Sequence, residues 1–386
     1  MDKVDPKVEE AVETLNMKDS PTRRRLLKGT GLVSATAAAS ALLAACSSGS
    51  GNASGSKEAA GNFPKTPKWQ FWFVNHVTTN SFFGPTQYGF ADAAALLGLP
   101  TPRWGGSISS VAAQMVNEIQ TAISGKAAGI ATTVINSTSF TTPVANAMSA
   151  GIPVITYNAD GTVAAGGKAD IGTNRLCYVG QALYLSGQQL GERIKSVCPK
   201  PGLVPLFIQT PGTGNIQPRF DGASDVLTPL GYKVTSVTTT TSTAQGLANE
   251  KAFLLGHKDA VGAFAVDATS TANLGQALTE TGLKIPSGGF DTTTQTLGNI
   301  KAGTTDFTIY QDPYLQGFLP TMYLYLYNLS GGTLAPSDTD TGLSFITKTN
   351  STPYEASSRY QGSTTAEKYI PRPSGAIQNP VATTST

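Results

Sequence analysis

The sequence predicts an α/β protein of two tandem lobes, each built on a parallel sheet, and three observations carry the prediction. Short apolar runs alternate with amphipathic stretches from residue 69 to residue 332. The alternation completes one β-α-β-α-β cycle and then starts a second, with the seam near "YVGQ" at residues 178–181. Of 386 residues, 341 remain once the first 45 are set aside, enough for two cores rather than one.

In the first cycle, "WQFWFVN" (residues 69–75) is a short apolar-aromatic strand, with Trp72 a core residue. "PTQYGFADAAALLG" has helical spacing at Tyr88, Ala91, Ala95 and Leu96, with Gly98 as its stop. A strand precedes Trp104. "SVAAQMVNEIQTAISG" places Val111, Met115, Ile119 and Ala122 on one helical face. "AGIATTVI" is a strand, "TTPVANAMSAG" a helix with Pro143 in its first turn and Gly151 past its end, and "IPVITYN" a strand.

The second cycle runs helix (183–197), strand "GLVPLFIQ", helix "PRFDGASDVLTPLG", strand "YKVTSVTT" and helix "AQGLANEKAFLLGH". Strand "AVGAFAVD", helix "STANLGQALTETGL", short strand "PSGGFD", helical turn "LGNIKAG" and strand "TDFTIYQD" follow. The apolar helix "YLQGFLPTMYLYLYNLSGG" is expected to return to the first lobe. The Ser/Thr/Pro-rich end, from about residue 347, is expected to wrap the body or stay partly loose.

The front of the chain is an address. "TRRRLLK" is followed by no charge from Thr30 to Ala45, the layout of a secretory signal, and the run is too short and alanine-rich for a good membrane span. "TRRRLLK" resembles the twin-arginine export signal. "LAAC" at Leu43–Cys46 resembles the lipobox of bacterial lipoproteins, which implies cleavage before Cys46 and lipidation of its sulfur, a membrane tether. The Gly/Ser/Ala-rich stretch after Cys46 reads as a flexible spacer.

Removing the seven basic and six acidic residues of the first 45 from totals of 27 and 25 leaves 20 against 19. Such a neutral balance argues against nucleic acid as a partner, because phosphate binding needs a basic surface. Cys177 and Cys198, with a helix between them, are expected as unpaired thiols. His76 and His257 stand too far apart in the chain for an evident zinc site, and His76 reads as a satisfied loop residue. No G-x-G-x-x-G opens a helix after a strand, no nucleophile elbow occurs, and "PGTG" is too short for a phosphate loop, so neither a cofactor nor catalysis is expected.

Eight landmarks in order, "TTNSFF", "AAQMVNEIQTAI", "AGIPVITYNAD", "YVGQALYLSGQQLGERI", "GTGNIQPRFDG", "AFAVDATSTANLGQAL", "GGFD" and "DFTIYQDPYLQG", resemble the type I periplasmic binding proteins, the ribose-binding branch in particular. The resemblance implies two Rossmann-like lobes, three hinge crossings and a sugar or polyol held between the lobes. It implies a signal over 1–45 and a linker over 46–67. A first lobe follows over 68–178 plus about 312–345, and a second over 179–311 plus part of the 346–386 tail.

Residue by residue, Asn80, Phe82 and Phe83 match the family's Asn-x-Phe-Phe, a hydroxyl partner and a stacking ring; the same types also serve as helix cap and core. Where the ribose branch carries Asp-Arg, this chain has Asn158 and Ala159, with Asp160 beyond, a departure that points to a ligand other than ribose. Asn158 and Asp160 stay candidates beside an Asx-turn. Arg219 resembles the family's ligand arginine. Asp267, Asp291 and Gln311 stand at three strand ends, with Phe290 beside Asp291; capping is their alternative role. Trp104 is a candidate second platform. The family implies a monomer that closes on its ligand and docks on an ABC permease from outside the cell. A sensory receptor of the same fold, a sugar-responsive repressor and an exported oxidoreductase are the rivals. The export signal and the lack of a helix-turn-helix speak against the repressor.

Overall fold

The computed structural model describes residues 64–161, 163–164, 168–169 and 173–356. The export signal, Cys46, most of the linker and the tail beyond 356 lie outside the described residues.

Two six-stranded sheets carry the fold. The first is built from β1 (Phe71–Asn75), β2 (Arg103–Gly106), β3 (Gly129–Val134), β4 (Val154–Asp160), β7 (Tyr178–Gly180) and, late in the chain, β13 (Thr339–Asp340), in the order β13-β7-β4-β3-β1-β2. All its pairings are parallel. A two-stranded hairpin, β5 (Val163–Ala164) with β6 (Lys168–Ala169), leaves it after β4. The second sheet takes β8 (Leu203–Ile208), β9 (Lys233–Thr238), β10 (Ala263–Ala265), β11 (Ser287–Phe290), β12 (Phe307–Tyr310) and β14 (Ser344–Thr347), in the order β14-β12-β11-β10-β8-β9. Only β14 runs antiparallel, against β12. The chain therefore passes between the sheets three times: after β7, after β12 and between β13 and β14.

The strands are near-continuous apolar runs because helices cover both faces. β1 and β3 are buried along their whole length. The first lobe packs Met115, Ile119, Phe140 and Val144 against its sheet, and the second packs Leu190, Ile194, Ala223 and Leu227.

Helix boundaries follow capping chemistry. Asn136 Oδ1 accepts from Ser139 N at 2.8 Å, so the third helix starts early, at Ser137–Ser149. Pro143 thus lies inside the helix, not in its first turn. The one-turn helix expected at "LGNIKAG" is longer, Thr294–Ala302, because Thr293 caps it and Gly303 (φ 78°) ends it. β14, just ahead of the Ser/Thr/Pro-rich end, forms because Phe345 and Ile346 are buried, Phe345 within the second core. Cys177 and Cys198 are buried and unpaired.

In each lobe a helix pair touches through glycines. Helices Gly84–Leu96 and Leu315–Leu329 meet so closely that a Cβ on Gly89 would lie 2.1 Å from the Tyr314 carbonyl oxygen. Helices Leu183–Val197 and Gln217–Leu227 do the same, where a Cβ on Gly187 would lie 2.2 Å from the Arg219 carbonyl oxygen. The second contact seats the turn that carries Arg219.

Candidate functional site

A cleft opens where the carboxyl ends of the two sheets face each other, the place where open α/β sheets receive ligands. Its inner end is a cavity of about 40 Å³ that both lobes line, and it shares Val77, Asn80, Gln209 and Ala268 with an outer cavity of about 530 Å³. Of the residues singled out from sequence, Asn80, Phe82, Phe83, Asn158, Arg219, Asp267, Asp291 and Gln311 line the inner cavity together.

The second lobe supplies the charges. Arg219 is buried; its guanidinium lies over the Phe290 ring at 4.1 Å from the centroid, Nη1 donates to the Val266 carbonyl at 3.2 Å, and Nη2 donates to Gln181 Oε1 at 3.0 Å. Its Nε has no partner. Asp267 caps the helix Ala268–Thr281: Oδ1 accepts from Ser270 N at 2.9 Å, and Oδ2 from Gln209 N at 2.9 Å and Ser270 Oγ at 2.8 Å. A carboxylate accepts about four bonds, so three taken leave roughly one for a ligand. Capping and cavity lining are thus combined in one side chain. Burial raises its pKa against those bonds and Arg219.

Asp291 follows β11 at φ 75°, a backbone value uncommon outside glycine, which turns its carboxylate into the cleft. Oδ1 accepts from Gln311 Nε2 at 2.7 Å. Burial pushes Asp291 up to about 6, held back by Arg219 and Gln311. Among the described residues neither carboxylate forms an ion pair with Arg219. The arginine's own pKa is lowered by burial and sustained by Asp291.

The first lobe supplies rings and amides. Asn80 Oδ1 accepts from Phe82 N at 3.0 Å, so its NH2 is what it offers a ligand. Phe83 is buried edge-on to Phe82 (4.8 Å between centroids) and to His76 (5.4 Å), while Phe82 is half-buried. Asn158, at φ 61°, sits where the β3–β4 register shifts. Its Nδ2 donates to Gln316 Oε1 at 3.0 Å, and Gln316 Nε2 donates to Gln311 Oε1 at 3.1 Å. One chain of amides therefore runs from Asn158 to Asp291 across the second crossing.

Three sequence candidates stand elsewhere. Asp160 is held by Arg175, whose Nε donates to Oδ1 at 2.7 Å, and by Thr156 Oγ1 at 2.5 Å. Arg175 also binds Asp338 at 2.9 Å, so Asp160 helps tie the end of β4 to the start of β13 instead of lining the inner cavity. Trp104 packs behind Phe83 and Phe90, its Nε1 donating to the Thr78 carbonyl at 3.2 Å. Phe290 lies fully buried under Arg219. Conversely, His76, Gln209 and Asn215 line the cavity without having been chosen. The signal available for Asn215 was its place in the Gly-rich turn just before Arg219.

A family model described as periplasmic binding protein domain matches residues 71–332. This chain is a type I periplasmic binding protein. The xylose/arabinose-binding protein XylF of Sulfolobus acidocaldarius is 44% identical over 316 residues, covering 80% of this chain and 78% of the relative. Among solved structures, an ABC transporter solute-binding protein from Burkholderia graminis, in complex with D-arabinose, superposes with a TM-score of 0.68 at 24% identity over 75% of this chain and 99% of that one. A carbohydrate transporter from Acidothermus cellulolyticus in complex with myo-inositol gives 0.68 at 22% identity, over 77% and 100%. Both share the two-lobed fold. Membership of this family makes the chain an extracytoplasmic binding protein of ABC transport, not an enzyme.

Proposed function

We propose that this periplasmic binding protein captures a pentose-sized sugar or polyol between its lobes and hands it to an ABC permease, tethered to the membrane through lipidated Cys46. The observation that carries the reading is the chemistry of the inner cavity. A buried guanidinium with an unpartnered Nε, two buried carboxylates, amides and a pair of phenyl rings meet in one place. A sugar ring has an apolar C–H face for an aromatic and a rim of hydroxyls, each both donor and acceptor. The relative at 44% identity is named for xylose and arabinose, which supports a pentose.

Binding is closure. A sugar that contacts both lobes favours the closed form through contacts only that form makes. A micromolar affinity corresponds to about 8 kcal/mol, within reach of a few charge-assisted hydrogen bonds at roughly 1.5–3 kcal/mol each. Isothermal titration with D-xylose, L-arabinose, D-arabinose and myo-inositol tests this. At least one is expected to bind near the micromolar range and to be recovered unchanged. No binding by any of them, or conversion of the bound sugar, would refute the reading.

A further inference from the structure

The Gly-rich stretch "PGTGN" of the second lobe reaches across the cleft. Gly214 N donates to the Ile135 carbonyl of the first lobe at 2.7 Å, and Asn215 Nδ2 stands 3.2 Å from His76 Nε2. An amide NH2 can only donate, so His76 Nε2 is the bare nitrogen. The ring proton then sits on Nδ1, which donates to Thr133 Oγ1 at 3.1 Å. With its nitrogen committed to the histidine, the Asn215 amide turns its oxygen the other way. That Oδ1 is buried and has no partner, and the residue lines the inner cavity. Arg219 Nε, four positions on, is unpartnered in the same cavity. One is an acceptor and the other a donor, the complement of a hydroxyl group.

We infer that Asn215 is a ligand-contacting residue that selects for a hydroxyl at one ring position, and that His76 is the positioning residue that orients its amide. The inference rests on the sugar-binding reading above. Selection follows because a sugar lacking that hydroxyl leaves a buried acceptor unpaired.

Orientation requires a neutral imidazole. His76 is buried against Phe83, Thr133 and Asn215, and burial draws its pKa down to about 4. The charged groups on the same cavity, Arg219, Asp267 and Asp291, all come from the second lobe. Below about pH 4 the ring becomes a donor at both nitrogens, and the Asn215 amide must flip to meet it, withdrawing the acceptor from the ligand.

Two measurements test this. In a two-bond ¹H–¹⁵N spectrum of the protein without sugar, assigned with a His257→Gln variant, His76 is expected as the Nδ1–H tautomer at pH 7. An Nε2–H tautomer overturns the orientation whether or not any sugar binds. In titrations with D-xylose and its singly deoxygenated analogues, Asn215→Ala is expected to weaken D-xylose about 10- to 100-fold. The same variant should leave one analogue bound as in wild type. His76→Ala should show the same analogue signature, while His76→Gln, which offers an acceptor that does not titrate, should keep binding at pH 7 and lose the fall near pH 4. Equal weakening of every analogue by Asn215→Ala overturns the selectivity. A wild-type protein that binds none of these sugars overturns the sugar reading and the selectivity with it, and the tautomer result still judges the orientation.

Discussion

The two lobes share one architecture and differ in what they bring to the cleft. Both seat their binding loops on a helix pair in glycine contact, but in the second lobe the paired helices are neighbours in the chain, 183–197 and 217–227. In the first lobe they come from opposite ends, 84–96 and 315–329. The first lobe is therefore complete only after the second has been made. The chemistry divides along the same line. The second lobe carries Arg219, Asp267 and Asp291, each buried and, apart from Arg219 Nε, already held by its own hydrogen bonds. The first lobe carries Phe82, Phe83, His76 and amides. A prewired polar floor costs little further ordering when a ligand arrives, whereas a ring-bearing lid gains from contact only on closing. The contrast predicts that the second lobe meets the sugar first.

Three experiments break or sharpen that contrast. The largest effect is expected from Arg219→Ala. It removes the positive charge that offsets the burial of Asp267 and Asp291 and the donor left free in the cavity. Sugar binding should fall below detection in titration calorimetry, with a lowered melting temperature; unchanged binding would move the encounter site away from the second lobe.

Asp291→Asn comes next and is read through pH. Burial raises this carboxyl to about 6, above an unfolded value near 4. Its contribution to stability is therefore full below about pH 4 and lost as pH rises through about 6, about 3 kcal/mol in all. Binding runs the opposite way, since protonation below pH 6 removes the acceptor. Between pH 7 and pH 5 the wild-type protein should become more stable while its sugar affinity falls about tenfold. The Asn variant should flatten the stability profile and bind weakly throughout. Thermal unfolding and titration at pH 5, 6 and 7 read both curves, and a flat wild-type affinity would detach Asp291 from the ligand.

Asn80→Ala, on the first lobe, is the smallest. It removes one amide and one cap, about 1 kcal/mol of stability, and should weaken binding about tenfold with D-xylose. A loss as large as that of Arg219→Ala would erase the asymmetry between the lobes.

Much of this organisation was readable along the chain. Apolar runs of strand length and stops such as Gly98 and Gly151 mark most elements, because each depends on residues within a turn or two; the caps Asn136 and Thr293 start two helices earlier than the apolar spacing alone indicates. Residues at strand ends fall near the cleft by topology, and among them the resemblance to the family singles out Asn80, Asp267, Asp291 and Gln311. Asp160 misleads for a reason outside that logic: its partner Arg175 is 15 residues on and the partner of that arginine, Asp338, 163 beyond it. Trp104 likewise stands at a strand near the cleft, and only packing put Phe83 in front of it.

The sequence by itself determined the alternation of strands and helices, the division into two lobes and the strand ends that face each other, since these follow from local periodicity and chain order. The tertiary structure alone decided which polar atoms are already spent and which are left for a ligand. Asn215 meets His76 across 139 residues, and Asp160 is consumed by Arg175 rather than offered to the cleft. Hydrogen bonds saturate, so the capacity of a side chain to bind is known only once every neighbour that could claim it is in place.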